Sequence, residues 1–418
     1  MMGKIKVLYI QHAGALGGSA KSLSCLLEFI NRSKYDPVVL CIHNNSELVK
    51  LYERRGVETY VNDKIHTFNH TTGGWYSLFS PMGIYEFIKA ICGYIPSIKE
   101  TRRFIRELNP DVVHLNSLVL SPSAWGVKLA GVPLVWHIRE SVVKGHLGIR
   151  KYLLKKMVNR LADEAVFICE NDRNTLLGGK AGTVVYNFVD GNLYDIKVDP
   201  SEVRRDLGIA PGDKVILFMG GKSVIKGIFP LLRALPLVKT KVPETQCLMA
   251  GAIYEQSKKL LHRAARKVLP LIGSGTVSQK VDKIIETQHM SEYVHLLPWR
   301  NDVELLIAAC DVLVFPSIEP HFARPVIEAE AMAKPVVASR IGGVEELVED
   351  GVTGILVPPG DPRALADALV KVLQDEGTAK KMGEEGYKMA KERYSPRNVR
   401  MIEEIYDRLL TNGSEKDA

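Results

Sequence analysis

Three stretches of the chain combine residue types that handle phosphates and hydroxyls. The first is EPHFARPVIEAEAMAKPVVAS, residues 319–339. A strand ends just before it at Phe315–Pro316–Ser317, and Pro325 suits the first turn of a helix. The amides near Ala323 and Arg324 then point out of a helix N-terminus, where an anion such as a diphosphate binds well. Glu328 falls about one turn later, and its carboxylate can accept two hydroxyl hydrogen bonds, as ribose recognition requires. A helix with a favourable acidic first turn explains Glu328 equally well.

The second stretch is VILFMGGKSVIKG, residues 215–227. A strand runs into Gly220 and Gly221, with Lys222 and Lys226 close behind. Glycines let backbone approach a phosphate, and lysine supplies charge to it. Taken alone, this piece reads more readily as a solvated turn. The third is HAGALGGSAKS, residues 12–22, a glycine-rich loop that opens a helix. Its glycines, at 14, 17 and 18, do not match the GxGxxG dinucleotide fingerprint. Two histidines end strands of the first half, His114 in DVVHLNS and His137 in LVWHIRE. Asn116 follows His114 closely. A strand-end histidine is often structural; His137 has the better case for function.

The elements that must carry these residues are short β-branched runs alternating with helical patterns. Strands are expected at 7–10, 38–42, 112–115, 134–138, 165–169 and 183–186. The pattern then restarts at 215–219, 246–250, 294–297, 312–315, 336–339 and 354–357. Several are continuous apolar runs, which is how parallel strands covered on both faces read. The alternation gives an α/β fold of two Rossmann-like domains, expected to face each other across a cleft. Residues 75–98, rich in aromatics, and 149–161, with Leu153, Leu154, Met157 and Leu161 on one face and Lys151, Lys155, Lys156 and Arg160 on the other, exceed a minimal sheet. Both read as a cleft wall with a solvated face, or as a basic amphipathic surface for an anionic membrane.

The bulk numbers set outer limits. The chain has 418 residues, 46% hydrophobic and 25% charged, which suits two globular domains. The net charge of +7 is spread along the chain without an RNA-binding motif, so no nucleic acid partner is expected. The six cysteines are scattered without a CxxC pair, as expected of buried thiols in a reducing compartment. No signal peptide or membrane span is read, so the expected location is cytoplasmic, with peripheral contact at the inner face of the cell membrane through 149–161.

Taken in order, GGSAKS, LVWHI, VVYNFVD, ILFMGGKSVIKG, CDVLVFPS, the 319–339 segment and RIGGVEELVEDGVTGILVPPGDPRALADAL resemble the retaining glycosyltransferases of family 4, of the two-domain GT-B fold. The resemblance covers nearly the whole chain. It implies an acceptor-side domain over 1–192, a linker over 193–213, a donor domain over 214–390, a helix over 391–412 that crosses back, and a tail over 413–418. It implies transfer of a sugar from a nucleotide sugar, UDP or GDP ahead of ADP, to a hydroxyl on a glycan or lipid-linked acceptor, with retention of anomeric configuration. By the same resemblance, Glu328 holds the ribose and Lys226 the donor phosphates. Phe322, Ala323 and Arg324 line the diphosphate or donor sugar, Gly17 and Gly18 form the N-terminal glycine loop, and His137 lies near the donor sugar. His114 and Asn116 fall on the acceptor side.

This chain departs from the family pattern at three points. The family's E-x7-E motif, counted back from Glu328, meets Pro320, and Glu319 stands one residue early. Gly221 stands where the family often has arginine, with Lys222 adjacent. Ala20 replaces a frequent acidic residue. Glu319 is kept with His137 and Lys226 as the catalytic set. Lysines and helix amides can stabilise a departing nucleoside diphosphate, so neither metal nor other cofactor is expected. A nucleotide-sugar epimerase of the same fold and a non-catalytic nucleotide-sugar-binding protein are the competing readings.

Overall fold

A computed structural model describes residues 3–69, 81–142, 148–179, 181–253 and 276–414. Within these bounds the chain divides into two compact units. The first comprises residues up to Val189 together with those from Arg393 onward, and the second comprises Asp190–Glu392.

The first unit is built on a seven-stranded sheet in the order β3-β2-β1-β4-β5-β6-β7. The strands are β1 Ile5–Gln11, β2 Tyr35–Cys41, β3 Glu58–Val61, β4 Val112–Leu115, β5 Leu134–Ile138, β6 Glu164–Phe167 and β7 Thr183–Val184. All pair in parallel, with Tyr9 opposite His114 and His114 opposite Val135. The apolar runs are continuous because both faces are covered. Leu8, Ile10 and Trp136 pack on one side with Leu154 and Val158, while Val7, Tyr9 and Val39 pack on the other with Leu26, Ile402 and Tyr406. The helix Asn398–Ser414 thus supplies core to a sheet whose first strand lies almost four hundred residues earlier.

The second unit carries a six-stranded parallel sheet in the order β10-β9-β8-β11-β12-β13. Its strands are β8 Lys214–Phe218, β9 Thr245–Ile253, β10 Val294–Pro298, β11 Val312–Phe315, β12 Val336–Ser339 and β13 Gly354–Val357. In both sheets the winding reverses once, between β1 and β4 and between β8 and β11. At such a switch point the loops leaving the two adjacent strands diverge and leave a ligand crevice at their carboxyl ends. The three chemistry-bearing stretches follow β1, β8 and β11.

The expected strands are present, β4, β5, β11, β12 and β13 residue for residue and the others with ends shifted by at most three residues. The edge strand β3, sequence ETYV, was not anticipated: none of its residues is buried, so it carries no apolar run. The segment 193–213 is not a free linker. It belongs to the second unit and contains the helix Ser201–Asp206, anchored by Arg204 donating to the carbonyls of Ala309 (2.9 Å) and Asp213 (2.8 Å). The expected 391–412 helix is two helices, Glu376–Arg393 and Asn398–Ser414, separated at the fully buried Tyr394. The second runs to Ser414, past the expected start of the tail. Five cysteines are buried, but Cys92 is exposed on the helix Pro81–Leu108. Of the aromatic segment 75–98, residues 75–80 lie outside the described residues, as do 415–418 of the tail.

Candidate active site

In the second unit, β8 runs into a turn that only glycine can make. A Cβ on Gly220 would lie 2.2 Å from the Phe218 ring, and one on Gly227 would lie 1.8 Å from the Pro316 carbonyl oxygen. Gly227 also has φ +81°, and it precedes the helix Ile228–Lys241. The loop after β8 is therefore pressed against the end of β11. Ile318 N–H and Ser317 Oγ both donate to the Ile225 carbonyl, at 2.9 and 2.7 Å. The two loops form one structure, and Lys226 and His321 meet within it.

Lys226 Nζ lies 2.5 Å from His321 Nε2 and 5.4 Å from the centroid of the Phe315 ring. His321 Nδ1 lies 2.8 Å from the Glu319 carbonyl oxygen. A carbonyl can only accept, so Nδ1 carries the proton and Nε2 accepts from the lysine. Burial, then the Lys226 charge, pushes His321 down to about 4, so the ring is neutral. Burial also lowers Lys226 to about 8, which leaves it mainly cationic at pH 7.

The other residues of this region fall around that contact. Pro320, at the register position of the motif's first glutamate, is exposed, and His321 is the side chain that reaches Lys226. Glu319 Oε2 is buried without a hydrogen-bond partner among the described residues. Phe322 and Ala323 are buried, and the helix Arg324–Ala331 starts at Ala323 with no side-chain cap and with Pro325 in its first turn. Within that first turn Val326 N–H donates to the Ala323 carbonyl at 3.0 Å. Glu328 is 2% exposed and accepts from Arg324 Nε at 2.7 Å. The neighbouring Tyr194 hydroxyl is kept protonated by burial first and by the Glu328 charge second. Lys222 is turned to the helix Val277–Thr287, where it pairs with Asp282 and donates to Ser278 Oγ at 3.2 Å. Gly221, with φ +56°, donates its N–H to the Ala250 carbonyl.

In the first unit, β1 ends at Gln11 and leads through the glycine loop to the helix Gly18–Phe29. Gly17 has φ −118°, and a Cβ on Gly17 or Gly18 would meet almost nothing. Neither backbone strain nor packing among the described residues demands glycine at these two positions. His114 and His137 lie on the adjacent strands β4 and β5 and form a buried pair, with His114 Nε2 3.1 Å from His137 Nδ1. His114 Nδ1 lies 2.7 Å from the Tyr406 hydroxyl, which is 3.0 Å from that of Tyr9. Arg139 donates to Asn116 Oδ1 at 2.5 Å and to Asn187 Oδ1 at 2.7 Å, and its Nη2 lies 3.3 Å from His137 Nδ1.

Arginine is always a donor, so His137 Nδ1 accepts and its proton sits on Nε2. His114 Nε2–H then donates to the same Nδ1, and Tyr406 donates to His114 Nδ1. Both histidines are held neutral, chiefly by burial and next by the Arg139 charge. His137 Nε2–H is buried and unpartnered among the described residues. It can donate to a ligand oxygen; it cannot take up a proton there.

Several neighbours of the candidate site escaped the sequence reading. His321 was passed over because the motif register pointed to Pro320 and Glu319. Arg139 adjoins the quoted LVWHI, but nothing in a strand-end arginine signals a histidine tautomer. Tyr406 is nearly three hundred residues from His114, and no local pattern links them. No group of three or more His, Cys, Asp or Glu among the described residues is placed to hold a metal ion. No helix among them is long and apolar enough to cross a membrane.

Comparisons with known proteins fit this arrangement. The profile described as Glycosyltransferase Family 4 matches residues 17–192, and that described as Glycosyl transferases group 1 matches residues 199–389. An N-acetyl-alpha-D-glucosaminyl L-malate synthase of Bacillus anthracis is 26% identical over 223 residues, 53% of this chain and 52% of the relative. A D-inositol 3-phosphate glycosyltransferase of Corynebacterium urealyticum is 33% identical over 221 residues, 51% and 48% of the two chains. The chain thus spans about half the length of these curated relatives. The crystal structure of Anabaena HepE in complex with UDP and glucose superposes with a TM-score of 0.75 at 22% identity, covering 96% of this chain and 99% of that one. Sucrose-phosphate synthase of Thermosynechococcus elongatus gives a TM-score of 0.73 at 17% identity, over 98% and 100%. These two similarities concern the fold. With one profile over each unit and the GT-B architecture throughout, the chain belongs to the family 4 glycosyltransferases of group 1.

Proposed function

We propose that the chain transfers a sugar, with retention of anomeric configuration, from a nucleotide sugar to a hydroxyl of a glycan or lipid-linked acceptor. The observation that carries this reading is the joined loop pair after β8 and β11. It sets a half-buried ammonium, Lys226, in the loop pair that leads into the helix Arg324–Ala331, whose start has no side-chain cap, with the buried carboxylate of Glu328 one turn on. Cation and amides suit a diphosphate, and a carboxylate oxygen suits ribose hydroxyls. A departing nucleoside diphosphate gains negative charge, which these donors stabilise without a metal ion. His137 Nε2–H suits a sugar hydroxyl. Gly17 and Gly18 suit close approach of a ligand to backbone, since the chain itself does not require them.

UDP is the favoured nucleotide, because HepE, similar in fold, is described in complex with UDP and UDP-glucose. The five cations of the helix Ile149–Leu161, with no carboxylate among them, support peripheral contact with an anionic membrane surface. The test is calorimetric titration of UDP, GDP and ADP into the wild type, Lys226→Ala and Glu328→Ala. One nucleotide should bind the wild type and lose at least tenfold in affinity to each variant. Equal binding across all three proteins would refute the donor assignment. A nucleotide that binds with these residues but is never turned over with any sugar donor and acceptor would favour the non-catalytic reading.

A further inference from the structure

The first unit contains a hollow of about 530 Å³ that none of the proposed chemistry uses. Its walls are Phe68, Phe87, Trp125, Ile149, Leu153 and Met157, and cations close its lining: Arg150, Lys156 and Arg160. No carboxylate lines it among the described residues. The volume falls within the roughly 300–1,000 Å³ of sites that enclose small ligands. The helices that line it also carry exposed apolar side chains. Ile149, Tyr152 and Leu153 of the helix Ile149–Leu161 are each more than half exposed, as are Ile88, Ile91 and Ile95 of the helix Pro81–Leu108. Isolated exposed apolar residues need no explanation, but six of them on two helices that both line one hollow do.

The charge identifies the occupant. The helix Ile149–Leu161 has Arg150, Lys151, Lys155, Lys156 and Arg160 and no acidic residue. A two-fold contact with a second copy would set these cations against themselves. An apolar chain with an anionic head satisfies both features: the hydrocarbon enters the hollow, and the lysine and arginine stems lie along apolar surface with their charges on the head. We propose that this hollow binds the hydrocarbon chain of a phosphate-headed membrane lipid, with Lys156 and Arg160 on the phosphate. The proposal names the acceptor side of the function above and rests on that reading.

Trp125 in the wall is a built-in probe. Vesicles of phosphatidylglycerol brominated on its acyl chains, mixed with phosphatidylcholine, should quench the fluorescence of the wild type. The quenching should disappear in Trp125→Phe. Leu153→Gln, at an exposed position, should weaken it. Lys156→Gln combined with Arg160→Gln, both exposed, should lower partition onto these vesicles about 30-fold, the loss expected for two cations at an anionic leaflet. UDP affinity, measured on the same preparations, should be unchanged in all variants, so a failure here is distinguishable from a failure of the donor site. Vesicle binding without Trp125 quenching would overturn the proposal in favour of surface adsorption. No vesicle binding would also overturn it, as would a concentration-dependent dimer that Leu153→Gln dissolves.

Discussion

Lys226 is asked to hold a charge where burial resists it, and that conflict can be measured. Its ammonium is lowered from 10.5 to about 8. If the cation holds the diphosphate, affinity follows the protonated fraction, about nine in ten at pH 7 and one in ten at pH 9. UDP should therefore bind about tenfold more weakly at pH 9 than at pH 7. Lys226→Arg keeps its charge across this range, so its affinity reports any titration of the nucleotide itself. The same burial acts on stability with the opposite sign. Between about pH 8 and 10.5 the unfolded chain binds the proton and the folded chain does not, so stability rises with pH. Relative to Lys226→Met, the wild type should gain about 2.5 kcal/mol between pH 7 and pH 10, from roughly 1.36 kcal/mol for each pH unit of the shift. The variant leaves His321 Nε2 without its donor, a pH-independent cost of about 1–3 kcal/mol that cancels from this difference. Calorimetric titration with UDP and urea denaturation at matched pH give the two readouts. A wild-type affinity that is flat, or that falls in parallel with Lys226→Arg, would refute the phosphate role. A stability difference independent of pH would refute the lowered lysine.

Four other outcomes follow from the geometry. Gly227→Ala combines a left-handed backbone with a Cβ at 1.8 Å from a carbonyl oxygen, so its urea midpoint should correspond to a loss of about 3 kcal/mol or more. Gly18→Ala meets open space and should leave stability within about 0.5 kcal/mol while lowering kcat/KM; unchanged kcat/KM would remove the glycine loop from the site. Tyr406→Phe strips the donor from His114 Nδ1 and should cost about 1–3 kcal/mol by denaturation. Arg324→Met leaves the buried Glu328 carboxylate without its guanidinium partner and should cost about 3–5 kcal/mol by urea denaturation.

What could be read from the sequence followed locality. β4, β5, β11 and β12 were placed residue for residue, because a central parallel strand must be a continuous apolar run; β13 lies at an edge but was placed too, because its sequence GILV is apolar. β3 was missed because an edge strand is free to be polar. Lys226 and Glu328 were singled out because a glycine turn and a proline-started helix are local patterns, although each alone reads at least as well as a solvated turn or an acidic first turn. Their company could not be read. His321 depends on a fold of the 317–323 loop that moves the reaching side chain one position from the motif register. Lys222, expected to help with phosphate, is occupied by Asp282 some sixty residues away. The His114–His137 tautomers depend on Arg139 and Tyr406, whose roles exist only once β4, β5 and the last helix are packed.

The placement of that last helix has a consequence for synthesis. Ile402, Ile405 and Tyr406 complete the core beneath β1, yet residues 190–392 are translated in between. At roughly 5–20 residues per second, the earlier part of the first unit waits about 10–40 s for its closing piece. During that interval, the apolar face formed by Val7, Tyr9 and Val39 lacks part of its cover on the ribosome. The second unit, contiguous in the chain, has all its residues before the first can be finished. A released chain truncated near residue 392 should therefore contain a folded second unit and an incomplete first one, which is the surface a holding chaperone would recognise.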